Sequence, residues 1–524
     1  MQSWFTFELD GEVCRVEETD TQATLASFLA QFDLSGRTTS NPDPWNGGHL
    51  VVLGDIEGDR RRFRATDASL LLLPMVAGRQ VWTARGIENA EPDHPVNLAL
   101  QHGHFECGQE RIGSIRALLF EGYYRPDLRR QGQVNDQFDA VVTRTHNAPA
   151  LREAAAQVFA STEQLRHEAA QKAEKEGEER SVWSGSRDIF GDRFTKSLFR
   201  LKEKTPLSYV DASKRRFHRP ETIVELLKLK REYPDASFIA GGTDLATRAG
   251  EVEWANLISL EAVRELNTFH RTEEAWEIGA AVPLTRIAEQ IGRECQPFNK
   301  ILRRFASRPI RNRATLGGYL ASPWAGSQLT PLLMALNARI ILLSEEAERD
   351  APITQFFTEN GETILAPNEV IRSIVIPRYT ETALASRGIA ATICNAYTVA
   401  PRRNLSQSWV TGAFAIDLRG STIAKARIAY AGIEASPRRM REAEETLTGK
   451  AWEADTVHEM LPILNEKLKA TDGPEQGYRK QLGVMLFQKF LSQHPDAKSL
   501  KPEELSSASE FANLNPPFFD ALPG

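Results

Sequence analysis

Residues 238–245 read FIAGGTDL, a short apolar run that is followed at once by two glycines, a threonine and an aspartate. Two consecutive glycines allow the backbone to adopt positive φ and to approach another group closely. The Thr and Asp that follow are small polar residues that hydrogen-bond turns and open helices. Such a turn can direct successive backbone N–H groups toward one point, which makes a concave anion site suited to a phosphate. Taken alone, the stretch fits an ordinary strand-to-helix turn at least as well.

A second stretch, residues 305–323, reads FASRPIRNRATLGGYLASP and places another glycine pair after the basic residues Arg308, Arg311 and Arg313. Together the two stretches resemble the FAD-binding domain of the xanthine dehydrogenase family, the flavin subunits of molybdenum hydroxylases. That family's pyrophosphate loops read close to Val-Gly-Gly-Thr-Asp and Ile-Arg-Asn-x-Ala-Thr-x-Gly-Gly-Asn. Two ordered matches at the family's spacing predict an FAD-binding domain here.

The resemblance also assigns cofactor contacts position by position. In the family, small-residue loops wrap the FAD pyrophosphate, whose negative charges need N–H donors and close packing. Gly279, followed by two alanines, is a further site where backbones are expected to approach closely. The residues that the resemblance places at the cofactor are Ala240, Gly241, Gly242, Thr243, Asp244, Leu245, Phe305, Thr315, Gly318, Tyr319, Ser322, Gln328 and Ile371. It assigns no catalytic residue and no metal ligand.

Two positions depart from the family's pattern. The family's Asn after the second glycine pair is Tyr319, which is much larger and could stack on a ring. The family's Asp in a Ser-Pro-x-x-Asp-x-x-Pro context is replaced by Ser327 or Gln328. Either residue can form hydrogen bonds, but neither carries charge.

Composition excludes several classes of protein. The 524 residues suffice for three or four domains, and 41% hydrophobic with 26% charged residues is typical of soluble globular protein. A net charge of −6 gives no indication of nucleic-acid binding. No apolar run approaches the roughly 18 residues of a membrane helix, and the first residues show no signal-peptide pattern. The four cysteines are scattered and never form C-x-x-C, so we expect a reduced, cytoplasmic protein.

The N-terminal residues 1–86 read as short strands with one helix. Residues 4–9 alternate as a strand does, and Asp10-Gly11 predicts a hairpin turn. Residues 25–32 predict a helix with Thr24 as its N-cap, and residues 49–53 and 80–83 are further strand candidates. The pattern resembles the β-grasp ferredoxin-like domain that opens the small subunit of xanthine dehydrogenase. Residues 87–160 resemble the helical-bundle domain that follows it.

Both domains bind [2Fe–2S] clusters in that family, and a cluster needs four soft ligands, usually cysteines. By the resemblance, the ligand positions of the first domain fall on Asn41, Asn46, His49 and Ser69. Those of the second fall on Cys107, Glu110, Val142 and Arg144. The sequence therefore predicts two folds that are kept while their cluster ligands are lost, with no [2Fe–2S] cluster and no metal.

The complete prediction is a multidomain α+β protein. A charged, helix-forming linker is expected at residues 161–214, and the two-part α+β FAD-binding domain at 215–385. Residues 386–495 resemble the C-terminal α+β domain of CO dehydrogenase flavoproteins, as in Tyr430-Ala-Gly432 and Gly449-Lys-Ala-Trp452. Residues 496–524 are expected to form a tail that docks on a partner.

The resemblance implies an FAD-dependent oxidoreductase. In the family, a molybdenum subunit oxidises a purine or similar heterocycle, and electrons pass through two clusters to FAD and then to NAD or oxygen. Three interpretations stay open: a flavoprotein subunit that partners a molybdopterin-binding large subunit, an independent FAD oxidase or dehydrogenase of a small molecule that acts as a monomer or homo-oligomer, and a non-catalytic scaffold without FAD. Retention of both cluster-type domains favours the first, and Tyr319 favours the second.

Overall fold

The computed structural model of the chain describes residues 1–32, 49–57, 60–103, 105, 109–125, 136–141, 148–175, 190–201, 206–248, 251–292, 294–322, 328–401, 408–468 and 476–494. The chain begins with a β-hairpin. The hairpin pairs β1 (Trp4–Leu9) with β2 (Glu12–Glu17). Its turn residues Asp10 and Gly11 have φ of 53° and 89°, as a tight two-residue hairpin turn requires. The predicted hairpin is confirmed.

Three more strands complete the first sheet: β3 (Leu50–Glu57), β4 (Arg60–Asp67) and β5 (Gln80–Trp82). The order is β2-β1-β5-β3-β4, in which β1 and β5 are parallel and the other neighbours antiparallel. The helix α1 (Leu25–Ala30) begins after Thr24, whose side chain accepts a hydrogen bond from the Ser27 N–H. The predicted cap and strands are therefore present, with β3 longer than expected.

Helices follow the sheet, and their apolar sides form one core. They are α2 (Ala84–Ala90), α3 (Pro95–His102), α4 (Gln109–Tyr123), α5 (Ala148–Lys175) and α6 (Arg193–Leu198). The range 161–214, predicted as a charged, helix-forming linker, contains the end of α5 and the whole of α6, which buries Phe194 completely. The buried residues of α5 recur at helical spacing, at Leu151, Ala155, Val158 and Thr162.

A second sheet consists of β6 (Leu207–Val210), β7 (Arg216–Arg219), β8 (Ser237–Ile239) and β9 (Asn256–Ser259) in the order β6-β7-β9-β8. The strands β7, β9 and β8 run parallel, and β6 also lies inside the predicted linker range. The helix α7 (Ile223–Glu232) begins after Thr222, which accepts from the Glu225 N–H. The acidic residue of its first turn is Glu225.

A third sheet is entirely antiparallel, in the order β10-β11-β14-β12-β13. Its strands are β10 (Phe269–Arg271), β11 (Ala275–Gly279), β12 (Arg339–Leu343), β13 (Glu348–Pro352) and β14 (Val370–Pro377). The helices that follow β11 and β13 along the chain are α8 (Leu284–Ile291), α9 (Gln296–Leu302), α10 (Arg308–Arg311), α11 (Leu316–Ala321), α12 (Thr330–Ala335) and α13 (Ile353–Phe356).

The fourth sheet, β15-β16-β17-β18, is antiparallel and packs with helices around an aromatic core. Its strands are β15 (Ala391–Val399), β16 (Val410–Arg419), β17 (Thr422–Ala431) and β18 (Arg438–Arg439). The helices are α14 (Glu381–Ala385), α15 (Arg441–Leu447), α16 (Ala454–Lys467) and α17 (Gln476–Gln493). Phe414 of β16 contacts Phe487 and Phe490 of α17, which therefore closes this core.

The chain divides into two compact units that do not follow chain order. The first comprises Met1–Arg264 and Ser307–Ala314. The second comprises Glu265–Ala306 and, as far as the structure describes it, the chain from Thr315 onward. The basic segment Ser307–Ala314 therefore packs with the N-terminal part of the chain. Among the described helices, none is both long and apolar enough to cross a membrane.

Candidate functional site

The first glycine loop, residues 240–245, begins where the parallel strand β8 ends, in the first unit. Gly242 has φ of +80°, a conformation that favours glycine. A short 3-10 turn, Leu245–Arg248, follows and buries Leu245. Loops at the carboxyl ends of parallel strands are common ligand sites, and this position fits the predicted anion site.

Both glycines of this loop lie against other backbone. A Cβ atom on Gly241 would lie 1.8 Å from the Arg313 carbonyl oxygen, and one on Gly242 would lie 3.0 Å from the Leu70 carbonyl oxygen. The sulfur of Met75 is 3.3 Å from the same point at Gly242. The loop therefore rests on the segment Ser307–Ala314 on one side and on residues after β4 on the other, and only glycine fits at Gly241.

Three successive backbone donors of the loop are left unengaged. Among the residues that the structure describes, none accepts a hydrogen bond from the N–H of Gly241, Gly242 or Thr243. The carbonyl groups are used, since Gly242 O accepts from the Ala246 N–H at 2.8 Å. Asp244 forms an ion pair with Arg248 at 2.9 Å. Unengaged N–H groups on consecutive residues are what an anion-binding turn provides.

Buried charge lies next to this loop. Arg313 donates from Nε to the Gly241 carbonyl at 3.4 Å and forms an ion pair through Nη2 with Glu261. Glu261 also pairs with Arg79 at 3.0 Å, and Arg79 pairs with Asp55 at 3.1 Å. These four side chains form a chain of alternating charge that ends at the glycine loop.

A third guanidinium lies near this cluster. Arg219 is buried and donates to the Ala77 carbonyl at 2.8 Å and the Met75 carbonyl at 3.5 Å. Burial and the nearby Arg79 lower the pKa of both Arg219 and Arg313 to about 9, so both stay charged at neutral pH. The guanidinium that reaches the glycine loop itself is that of Arg313.

The second glycine loop starts at Thr315, in the second unit, and opens α11. Its backbone donors are engaged within the protein. The Gly318 N–H donates to the Thr315 side chain at 3.1 Å, and the Gly317 N–H donates to the Ala280 carbonyl at 3.0 Å. The Tyr319 and Ser322 N–H groups donate to the carbonyls of Thr315 and Gly318. This loop therefore offers a ligand its side chains and surface more than its N–H groups.

Close packing at the predicted small residues is confirmed in the second unit. A Cβ atom on Gly279 would lie 2.2 Å from the Leu266 carbonyl oxygen, and one on Gly317 would lie 2.5 Å from the Cβ of Ala280. An isolated bridge between Pro283 and Thr315 continues the contact. Small residues at these positions let the second loop lie directly on the turn after β11.

The two departures from the family's pattern lie next to each other. The Tyr319 hydroxyl accepts a hydrogen bond from the Leu329 N–H at 2.8 Å, and its ring packs edge-on against Phe305 at 5.4 Å. Gln328, the neighbour of Leu329, is buried, and its Oε1 has no hydrogen-bond partner among the described residues. A buried acceptor without a partner needs a donor, which a ligand such as FAD could supply through a hydroxyl, amino or imide group.

The other assigned residues are distributed as follows. Ala240, Thr243 and Asp244 are half-buried in the first loop, and Gly318 is exposed in the second. Ile371 is a buried core residue of β14, opposite Leu342 of β12. Ser327 lies outside the described residues, as do the predicted cluster positions Asn41, Asn46, Cys107, Val142 and Arg144, and the predicted tail at 496–524.

Several residues at this site have no counterpart in the sequence prediction. Glu261 and Arg79 extend the charge of Arg313, and the carboxylates Glu121 and Asp139 meet the basic segment Ser307–Ala314. The basic residues Arg308, Arg311 and Arg313 were visible in the sequence as a run. Their burial was not, because their partners lie far away along the chain.

Comparison with known proteins identifies two domains. Residues 212–379 match the family described as FAD binding domain in molybdopterin dehydrogenase. Residues 395–494 match the CO dehydrogenase flavoprotein C-terminal domain. These matches confirm the predicted presence of an FAD-binding domain and of a C-terminal flavoprotein domain.

Curated relatives align with much of the chain. It is 27% identical to a xanthine dehydrogenase of Emericella nidulans over 533 aligned residues, which cover 92% of this chain and 38% of that protein. It is 26% identical to aldehyde oxidase 3 of Rattus norvegicus over 57% of this chain and 23% of that protein. The chain thus spans well under half the length of these relatives. Among solved structures, quinoline 2-oxidoreductase from Pseudomonas putida 86 is similar at a TM-score of 0.48 and 23% identity, covering 56% of this chain and 98% of that one.

Proposed function

Because residues 212–379 are an FAD-binding domain of the molybdopterin dehydrogenase type, in a chain homologous to xanthine dehydrogenases, we propose that this protein is an FAD-dependent oxidoreductase subunit of a molybdenum hydroxylase-like complex. The observation that carries the proposal is the first glycine loop. Its Gly241, Gly242 and Thr243 N–H groups have no acceptor among the described residues, and they lie beside the buried guanidinium group of Arg313.

The residues present fit FAD. In the first loop, the three N–H groups would bind the pyrophosphate, and Gly241 keeps that backbone against Arg313. In the second unit, Thr315, Gly318, Tyr319 and Ser322 are proposed contacts, and the buried Gln328 Oε1 would accept a hydrogen bond from the cofactor. The remaining assigned residues Ala240, Asp244, Leu245, Phe305 and Ile371 are proposed to shape the site, Ile371 through packing alone.

When bound, FAD would accept and pass on the electrons of an oxidation, while the chain's own residues bind and orient it. The Arg79–Glu261–Arg313 chain holds positive charge near the first loop and so keeps an anionic group in place. Tyr319 holds the start of α12 through the Leu329 N–H and thereby fixes Gln328. No catalytic acid or base is assigned.

We further propose that the N-terminal layers are the ferredoxin-like and helical-bundle domains of this family, without [2Fe–2S] clusters. The strand order β2-β1-β5-β3-β4 with one helix supports the first assignment, as does the alignment of the Emericella xanthine dehydrogenase with 92% of this chain. The replacement of the family's cluster ligands supports the absence of [2Fe–2S] clusters. A large molybdopterin-binding subunit as partner, with a small-molecule substrate and a cytoplasmic location, completes the proposal.

An independent FAD oxidase or dehydrogenase is the second candidate. One observation favours it: Tyr319 stands where the family has Asn, Ser327 or Gln328 replaces the family's Asp, and Tyr319 and Gln328 are proposed flavin contacts. Such a change would suit a different substrate or acceptor. A homo-oligomer that turns over a small molecule without a large subunit would support this candidate.

The test is an absorption spectrum of the purified full chain, with flavin and iron measured in the same sample. Flavin bands with about one FAD per chain support the proposal, and iron below about 0.1 atom per chain supports the loss of both clusters. Iron near four atoms per chain would overturn the cluster-free part. A protein without flavin, and without affinity for added FAD, would overturn the proposed function in favour of a scaffold. A large subunit that co-purifies separates the first candidate from the second.

A further inference from the structure

We infer that Glu121 and Asp139 are positioning residues for FAD binding, because they fix the segment Ser307–Ala314 on which the first glycine loop rests. The inference rests on the proposed function, since it names part of the support of the proposed FAD site. It assigns to the helical layer of the first unit a structural task at the flavin loops.

Glu121 is the hub of a buried network. It lies on α4, and its side chain is completely buried. Its Oε1 accepts from Arg308 Nε at 3.1 Å, and both of its oxygens are 3.2 Å from Asn312 Nδ2. Its Oε2 also accepts from Gln137 Nε2 at 3.1 Å and from the Ala65 N–H at 3.4 Å. One carboxylate therefore joins β4, the helical layer and the basic segment.

Asp139 holds the start of α10. Ser307, the residue before this helix, makes no capping hydrogen bond with its side chain. Instead, Asp139 Oδ1 accepts from the Arg308 N–H at 2.9 Å, and Oδ2 accepts from Arg311 Nη2 at 3.1 Å. Asp136 pairs with the same two arginines, at 3.3 Å and 2.5 Å. Two aspartates thus set both the place and the orientation of α10.

Guanidinium and carboxylate groups alternate in this network. Arg64 adds a contact to Glu121 at 3.6 Å, beside the pairs that Arg308 and Arg311 make. Removing one partner of a buried ion pair leaves the other charge uncompensated, which is costly. Neutralising Glu121 or Asp139 should therefore shift the basic segment and not merely remove one bond.

The end of the segment Ser307–Ala314 lies directly against the first glycine loop. Asn312 donates to the Ala65 carbonyl at 2.8 Å, and the next residue, Arg313, has its carbonyl oxygen against Gly241. A Cβ atom on Gly241 would also lie 3.0 Å from the Ala314 nitrogen. Thr315, which opens the second loop, follows Ala314 in the chain. A displacement of α10 therefore reaches the first loop by direct contact.

A buried carboxylate elsewhere in the same unit offers a matched control. Asp211 is also buried, pairs with Arg215 at 2.9 Å and accepts from the Thr21 N–H at 3.0 Å. It joins two segments that belong to neither glycine loop. A loss of stability without a change in FAD binding is the effect we expect of Asp211→Asn.

The experiment measures FAD affinity of the flavin-free full chain by quenching of flavin fluorescence, at a temperature well below each variant's unfolding midpoint. We expect Glu121→Gln and Asp139→Asn to raise the Kd about tenfold or more, and Asp211→Asn to leave it within about twofold. Glu121→Asp, which keeps the charge, should restore part of the affinity. A merely structural role would move the unfolding midpoint of all variants and the Kd of none.

Hydrogen exchange of the flavin-free chain provides a second readout that needs no FAD. Peptides that cover residues 240–248 should exchange faster in Glu121→Gln than in the wild type. In Asp211→Asn they should exchange at the wild-type rate. If the charge variants fail to fold, Asn312→Ala keeps every charge and removes the bonds to Ala65 and Glu121. We expect it to change both readouts in the same direction by a smaller factor, about threefold in Kd.

Two outcomes would overturn the inference. One is a set of folded Glu121, Asp139 and Asn312 variants that bind FAD within about twofold of the wild type. The other is unchanged exchange of residues 240–248 in these variants. Failure of the proposed function would look different: the wild type itself would bind no FAD, while the exchange experiment would still report on the network.

Discussion

The two glycine loops have similar sequences but offer a ligand different groups. The first leaves the N–H groups of Gly241, Gly242 and Thr243 without an acceptor among the described residues and lies beside buried arginines. The second engages its N–H groups within the protein, as Gly317 does with the Ala280 carbonyl. After this loop, the side-chain acceptor Gln328 Oε1 has no hydrogen-bond partner among the described residues.

This difference indicates a division of tasks. A row of backbone donors recognises an anion whatever the side chains are, so the first loop can keep a pyrophosphate site with glycines and charge alone. A loop that recognises its ligand with side chains and shape can change with its substrate. That is where this chain departs from the family, at Tyr319 and Gln328. Substitutions in and near each loop test the two tasks separately.

The largest effect should come from Gly241→Ala. The added Cβ would lie 1.8 Å from the Arg313 carbonyl oxygen, which is backbone and cannot move aside as a side chain can. Overpacking costs about 1–3 kcal/mol where neighbours can adjust, so we expect about 3 kcal/mol or more and a loss of FAD affinity beyond about 100-fold. The flavin content of the purified variant measures the loss of FAD affinity.

Gly477→Ala is the control for this experiment, because nothing lies within 4 Å of a Cβ atom at Gly477. That variant should retain the flavin content of the wild type. A Gly241→Ala protein that keeps its flavin would show that the first loop does not hold the cofactor. The proposed difference between the loops, in which the first binds the pyrophosphate through its backbone N–H groups, would then be contradicted.

Acid should weaken the layer that supports the first loop. His94 packs on Phe120 and Tyr123 of α4, the helix that carries Glu121, and burial lowers its pKa to about 4. Its pKa in the unfolded chain is about 6.5, so the unfolded state binds the proton first as pH falls. The stabilisation is complete above pH 6.5 and is lost toward pH 4, by up to about 3 kcal/mol.

Urea unfolding of the wild type and of His94→Asn between pH 7 and pH 4.5 measures this loss. Asn keeps the capping role of His94, whose Nδ1 accepts from the Val96 N–H, and removes the titrating group. The variant should lose about half of the pH dependence that the buried histidines cause. His494, whose pKa burial also lowers to about 4, would account for a remaining slope. An unchanged slope in His94→Asn would contradict the assignment.

The parts of the structure that depend on neighbouring residues were predictable from sequence. Asp10-Gly11 forms the hairpin turn because both residues tolerate positive φ, and Thr24 caps α1 because its hydroxyl reaches the Ser27 N–H. Gly241-Gly242 behaves likewise, since close approach and positive φ are properties of glycine itself. The tight turn and the close backbone approach of the first loop were therefore predictable from its residues, whereas its assignment to a cofactor came from the family resemblance.

The parts that depend on distant residues were not predictable. Arg308 pairs with Glu121 and Asp139, which lie 187 and 169 residues away along the chain. A run of arginines gives no sign of such partners, so burial of the segment could not be foreseen. The strand β6, inside the range predicted as a linker, was not foreseen for the same reason, since it becomes a strand only by pairing with β7. The hydrogen bond from Leu329 to Tyr319 equally requires the fold.

A smaller effect is expected from Gln328→Leu in the second loop. The substitution removes the Oε1 that has no partner among the described residues, at nearly constant volume. Without flavin the variant should be as stable as the wild type or more so, because an unsatisfied buried acceptor is costly. FAD affinity should fall about tenfold, since the cofactor loses an acceptor. Thermal unfolding and FAD titration give the two quantities.

Thr285→Val is the matched control for that substitution. Thr285 is buried in the same unit, and its Oγ1 is likewise without a partner among the described residues. Its removal should also preserve or raise stability, but FAD affinity should stay within about twofold. If both variants behave alike toward FAD, Gln328 is an ordinary core residue, and the second loop contributes shape without a side-chain acceptor.

The smallest effect should come from Tyr319→Phe, which removes only the hydroxyl that accepts from the Leu329 N–H. The lost hydrogen bond costs about 1 kcal/mol of stability, and FAD affinity should fall about threefold, because Gln328 loses its fixed position. The ring contact with Phe305 would remain. In the double variant Tyr319→Phe with Gln328→Leu, the affinity should match that of Gln328→Leu alone, because the hydroxyl acts through Gln328. Independent, additive losses would show instead that the Tyr319 hydroxyl, and not only the ring, contacts the flavin.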